Sequence, residues 1–117
     1  MTDSERLLRA HRLARPSDLR RCLEQGRRRR TKYLEMIWIE NATGHPRMGL
    51  IVPRFQFSAV ARNRLRRRLR EVWRREVRAA QPAWDLIVRA RREAYLASFA
   101  VLRQDLVGWR DSTFSAG

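Results

Sequence analysis

Residues 61–76 read ARNRLRRRLREVWRRE, and this stretch places two incompatible demands on one helix. At about 100° per residue, Ala61, Leu65, Leu69, Val72, Trp73 and Ala80 fall within a single apolar sector, the mark of a helix lying on a core. Arg67, Arg70, Arg74 and Arg78 run along the opposite side at spacings of three or four, where like charges repel by roughly 0.2–0.5 kcal/mol per pair. Glu71 and Glu76 are too few to neutralise them. A solvated helix face usually mixes charge signs. This one does not, and its missing counter-charge points to a polyanion.

The whole chain repeats that imbalance. Its 117 residues carry 27 basic and 12 acidic side chains, a net charge of +15 and a pI near 11.8. Such self-repulsion is relieved by an anionic partner, with nucleic acid the first candidate. All the basic residues but Lys32 are arginine, whose planar fork matches phosphate and stacks on bases. A GC-rich genome, which favours arginine codons, is the alternative explanation for part of that bias. No membrane anchor is expected, since the longest apolar run, residues 48–53, is far shorter than the roughly 20 residues that span a bilayer. A lone Cys22 and an N-terminus without a secretory signal indicate a reducing, cytoplasmic setting. With 44% hydrophobic residues, the length suits one domain with a real core.

Around the arginine helix the other elements fall into place. Residues 1–15 lack a clean period and read as a basic arm, and residues 111–117 as a short tail. A first helix begins at Pro16 and Ser17, with Ser17 as its cap, carries Leu19, Cys22 and Leu23 on one face, and stops at Gly26. Arg27 to Arg30 suit a solvent-facing loop or edge strand. Residues 32–40 form a strand with Leu34, Met36 and Trp38 on one side and Tyr33, Glu35, Ile37 and Ile39 on the other. The turn cluster at 41–46 predicts a hairpin to an antiparallel strand at 47–52. Ser58 caps the arginine helix, which ends before Pro82. Residues 84–91 form a buried strand reached by a parallel crossover. Ser98 caps a last helix whose Phe99, Leu102, Leu106 and Trp109 face the core. The order is α-β-β-(β)-α-β-α, an α/β (α+β) two-layer sandwich with helices packed on a mixed sheet.

Catalytic constellations are missing from this pattern. Glu71 and Glu76 read as charge relief for neighbouring arginines, and Asp85 as a strand-end or edge carboxylate paired with an arginine. His11 and His45 have no cysteine or acidic partner at zinc-ligand spacing. No glycine-rich phosphate loop or nucleophile elbow is present. The expectation is a chain that binds no cofactor by itself and carries no catalytic or metal-ligating residue.

The run Arg62-Asn63-Arg64-Leu65-Arg66-Arg67-Arg68-Leu69-Arg70-Glu71, preceded by Ala59-Val60, resembles the signature helix of the protein subunit of bacterial ribonuclease P, which matures the 5′ end of transfer RNA. Residues 17–26 resemble that family's first helix, 48–52 its strand before the signature, and 84–91 its last strand. The resemblance implies that catalysis belongs to a large RNA with bound Mg2+, while the small protein holds ribonuclease P RNA and the 5′ leader of precursor tRNA. It also implies a fold shared with a ribosomal-protein domain, with a left-handed βαβ crossover against the usual right-handed preference.

By the same resemblance, Arg54, Arg62, Asn63, Arg64, Arg66, Arg67, Arg68, Arg70 and Arg74 are candidates for RNA contact. A leader cleft between the first helix and the sheet would use Leu19, Leu23, Tyr33 and Ile37, with Phe55 and Phe57 from the preceding loop. Leu19, Leu23 and Ile37 stand where the family usually has aromatic residues. Likewise, Pro53, Arg54, Phe55 and Phe57 replace a serine, paired basic residues and a glycine. The alternative is a general RNA-binding or ribosome-associated protein of similar fold. Duplex DNA is not expected as a partner, because only Asn63 could read adenine from the helix.

Overall fold

A computed structural model describes residues 9–114. The most apolar strand takes the middle of the sheet. β4 (Trp84–Ala90) is buried along almost its whole length, and it lies between β2 (Leu34–Glu40) and β3 (Arg47–Ile51) in the order β1-β2-β4-β3. The expected hairpin is therefore absent: β2 pairs antiparallel with β4, and β3 pairs parallel with β4. Turn residues at 41–46 mark a chain reversal, but the strand best able to bury both faces displaces β3 from β2. The parallel crossover from β3 to β4 runs through the arginine helix, as expected. The arginine run 27–30 forms β1 (Arg27–Arg30), a fully exposed edge strand on β2.

Alternation along the strands separates two apolar faces. Leu34, Met36 and Trp38 join Leu86 and Val88 in the main core, closed by α2 (Ala59–Val72) and α3 (Phe99–Thr113). Ile37 and Ile87 face the other way, beneath Cys22 of α1 (Pro16–Gln25), with Leu19 and Leu23 packed alongside. Burial pushes the Cys22 thiol up to about 11, with Asp85 adding to the effect, so it is an unreactive packing group. Tyr33 precedes β2 and packs against the main core, not with Ile37.

The helix boundaries show which local signals held. Ser58 and Ser98 accept from the amides of Ala61 and Val101, capping α2 and α3. Ser17 is not a cap: α1 begins at Pro16 after Arg15, which makes no side-chain capping bond. Proline suits the first position, because its φ is already helical and the N–H it lacks has no partner within the helix. Gly26 stops α1 in extended backbone at φ −77°. A Cβ there would sit 2.5 Å from the carbonyl oxygen of Cys22 and 2.8 Å from that of Trp38, so close approach, not a left-handed turn, requires the glycine. After Val72 the arginine helix widens into a π turn over Trp73–Val77. Val77, the last residue of that turn, is in the core, and Ala80 in the turn that follows is exposed. Phe99, in the first turn of α3, is 36% exposed, while Leu102, Leu106 and Trp109 are buried as expected.

Part of the expected arm is ordered. Arg9–His11 form a 3₁₀ turn, Arg12 bridges to Met48 along the outer edge of β3, and Leu13 is buried. Gly49 permits this approach, since a Cβ there would lie 2.6 Å from the Leu13 carbonyl oxygen. Residues 1–8 of the arm lie outside the described residues. Of the expected tail, 111–113 complete α3, and 115–117 lie outside the described residues. A short 3₁₀ helix over Arg92–Leu96, not anticipated from the sequence, follows β4. Among the described residues no helix is long and apolar enough to cross a membrane.

Asp85 is fully buried inside β4. Its two oxygens accept from Arg47 Nε at 2.7 Å and Nη2 at 2.8 Å, and Asn41 Nδ2 adds a third bond at 2.8 Å. Arg47 also reaches Asp18 of α1 at 3.3 Å. Asp85→Asn should cost about 3 kcal/mol of stability, the lower end for breaking a buried pair because Asp18 remains beside Arg47. Urea unfolding measures it, and a loss below about 1 kcal/mol would show that the pair is dispensable.

Candidate nucleic-acid interface

The guanidiniums of α2 divide by what they already touch. Arg62, near the helix start, donates through Nε to the carbonyl of Val52 at 2.8 Å and ties the helix to the end of β3. Its position serves the fold at least as directly as any ligand. Arg74 is held by Glu71 at 2.8 Å, and Arg75 meets the same carboxylate at 2.5 Å. Glu71 thus relieves local repulsion, as expected, and Arg74 is less available than its helical position suggests. Asn63, Arg64 and Arg67 are exposed, Arg68 is half-buried, and Arg54 is exposed in the loop before the helix.

Arg66 and Arg70 differ from these. One turn apart on the flank of α2, they converge with Arg12 on a recess of about 240 Å³. Its wall includes Leu13, Leu19 and Gly49, so the ordered arm, α1, β3 and α2 all contribute. Among the described residues, none of the three guanidiniums has a carboxylate partner. Burial first, then repulsion from Arg66 and Arg12, lower the pKa of Arg70. Three like charges held around one hollow have the chemistry to meet an anion with several acceptor oxygens. The family resemblance named Arg66 and Arg70 as candidates for RNA contact but not Arg12, because nothing in an aperiodic arm signals that it will run along β3.

Of the expected leader-cleft residues, Leu19, Leu23 and Ile37 come together, while Tyr33, Phe55 and Phe57 lie elsewhere. Ile37 is fully buried beneath α1, while Leu19 and Leu23 are half-buried against it. Tyr33 lies against the main core with Lys32 over its ring at 5.6 Å. Phe55 and Phe57 instead gather around Tyr95 of the 3₁₀ helix. A second recess, of about 360 Å³, opens there, with Arg30, Glu35, Phe55, Arg89 and Arg92 in its wall.

The family profile described as Ribonuclease P matches residues 7–112. The chain belongs to that family. It is 36% identical over 92 residues to the ribonuclease P protein component of Syntrophobacter fumaroxidans, covering 78% of this chain and 77% of the relative. The Methylococcus capsulatus component is 39% identical over 100 residues, covering 84% and 77%. In fold the chain is similar to the Staphylococcus aureus RNase P protein, with a TM-score of 0.76 and 25% identity over 82% of this chain and 88% of that one. It is also similar to the RNase P protein from Thermotoga maritima, with a TM-score of 0.77 and 24% identity over 86% and 96%. The chain is thus a protein component of ribonuclease P, an endoribonuclease.

For this ribonuclease P protein, Arg66→Gln/Arg70→Gln should leave the melting temperature unchanged or slightly higher, because repulsion falls and both side chains remain helix-tolerant. RNA affinity should fall, and the slope of log affinity against log salt should flatten by roughly 0.7–0.9 per lost phosphate contact. Calorimetric melts beside binding titrations at several salt concentrations check both. A variant that unfolds would show that these arginines support the fold.

Proposed function

We propose that this ribonuclease P component holds the catalytic RNA through α2 and its flanking arginines, and positions the 5′ leader of precursor tRNA for endonucleolytic removal. The observation that carries the reading is the convergence of Arg12 with Arg66 and Arg70 of α2, without carboxylate partners among the described residues. A general RNA-binding protein would share the charge but would not need the signature.

In this reading the chemistry, and the Mg2+ it uses, reside on the RNA. The carboxylates best placed to hold an ion are already engaged with arginines: Asp85 with Arg47, Glu35 with Arg28 and Arg89, Glu71 with Arg74 and Arg75, and Glu76 with Arg103. Among the described residues no three histidine, cysteine or acidic side chains are grouped to hold a metal. The protein contributes positive charge and position, lowering the Mg2+ needed to bring two polyanions together.

Reconstitution tests this. Purified protein mixed with a bacterial ribonuclease P RNA and a precursor tRNA at low Mg2+ should restore cleavage at the mature 5′ end, while protein alone leaves the precursor intact. Amide substitution of Glu71 or Glu76 should leave the cleavage rate of the assembled complex unchanged. If such a variant lost cleavage with unchanged RNA affinity and stability, the protein would be performing chemistry itself.

A further inference from the structure

The loop before α2 carries an arrangement that the arginine helix does not explain. Phe57 and Tyr95 stack with ring centroids 4.1 Å apart and planes 4° from parallel. Phe55 meets Tyr95 edge-on at 6.2 Å and 87°. The Tyr95 hydroxyl donates to the Pro53 carbonyl at 2.7 Å, clamping the loop to the 3₁₀ helix Arg92–Leu96. The Arg92 guanidinium lies 5.8 Å from the ring centroid of Phe55 and 5.6 Å from that of Phe57.

Phe55 is the unusual member. It is 43% exposed and sits at φ 52°, a left-handed backbone that a bulky side chain adopts only when its surroundings enforce it. Phe57 and Tyr95 account for the anchoring of the loop. Nothing in the core requires Phe55 to be aromatic. The recess beside it is basic: Arg30, Arg89, Arg91 and Arg92 outnumber Glu35 and Glu93. Glu35 is already shared by Arg28 and Arg89, whereas Arg30 and Arg92 have no carboxylate partner among the described residues.

We propose that Phe55, backed by the Phe57–Tyr95 stack and flanked by Arg92, is a stacking platform for one unpaired nucleobase whose adjoining phosphates reach Arg30 and Arg89. A rigid aromatic surface beside guanidiniums is the combination that binds single-stranded nucleic acid without reading its sequence. The platform lies at the sheet end where β1, β3 and β4 finish, apart from Leu19 and Leu23. This inference rests on the RNA-binding reading above. The base could come from the leader or from an unpaired segment of the RNA subunit, and both present the same chemistry.

The test uses the full chain with a short unpaired oligoribonucleotide carrying 2-aminopurine, beside a matched oligomer in which that base is removed. Phe55→Leu keeps apolar bulk and removes the π-face. It should weaken binding of the intact oligomer about fivefold or more, within the range expected for one base–aromatic stack. It should also abolish the quench of 2-aminopurine and leave the abasic oligomer unaffected. Arg92→Gln should weaken both oligomers, and it decides the matter if Phe55→Leu fails to fold. Equal losses on intact and abasic RNA for Phe55→Leu, or no loss with Arg92→Gln, would overturn the platform.

In the reconstituted enzyme, a precursor with an abasic leader separates the two sources. Insensitivity to Phe55→Leu only with that precursor assigns the base to the leader. A defect confined to binding of the RNA subunit assigns it there. Wild-type protein that restores cleavage while Phe55→Leu behaves identically in every assay would reject the platform and leave the proposed function standing. Failure of the wild type to restore cleavage would instead strike the function itself.

Discussion

The buried carboxylate of Asp85 fixes the frame from which every functional group is presented. An ionised group in the sheet interior is tolerable only if its lone pairs are met, and Arg47 and Asn41 meet them from β3 and from the turn before it. That requirement admits one alignment of β3 against β4, with Arg47 opposite Asp85. The alignment sets where β3 ends, and the Val52 carbonyl at that end receives Arg62 and so seats the first turns of α2. The Arg47–Asp18 contact extends the same frame to α1. One ion pair thus helps to position the helices on both faces of the sheet.

On that frame, arginine performs two separable tasks. Arg47, Arg62, Arg74 and Arg91 are matched to carbonyls or carboxylates and hold parts of the chain together. Arg12, Arg66 and Arg70 are gathered without counter-charge among the described residues, and burial together with this repulsion lowers the pKa of Arg70. Gathering charge before the ligand arrives moves part of the ordering cost from binding to folding, so less is lost when an anion enters. Leu65, Leu69 and Val72, on the neighbouring core-facing side of α2, supply apolar burial that offsets the repulsion.

Periodicity made much of this legible. The apolar sector of α2 from Leu65 to Trp73, the caps at Ser58 and Ser98, and the alternation of β2 from Leu34 to Trp38 are local patterns, and each appears in the fold. Strand order is not local: β3 and β4 pair across a helix, and only the extra burial available to β4 decides that it divides β2 from β3. The same limit hid Arg12, whose role depends on Gly49 letting the arm approach, and Tyr95, whose 3₁₀ helix is too short to show a period. Residues grouped as one cleft by likeness to the family, Ile37 with Tyr33 and Phe55, are separated because a strand's two faces and a loop at its end are different surfaces.

The sheet has two outer edges, and they are closed by different means. At β3 the edge is occupied by the chain's own residues around Arg12. At β1 no described strand covers it and it bears four exposed arginines, whose mutual repulsion disfavours the docking of a second sheet. That guard is electrostatic, so it weakens as screening shortens to about 3 Å near 1 M salt, whereas the covered edge is indifferent to salt. Colloidal behaviour of the free protein is therefore tied to ionic strength at one edge only. High salt, the usual means of stripping RNA from a basic protein, is also the condition under which the β1 edge is least defended against self-association.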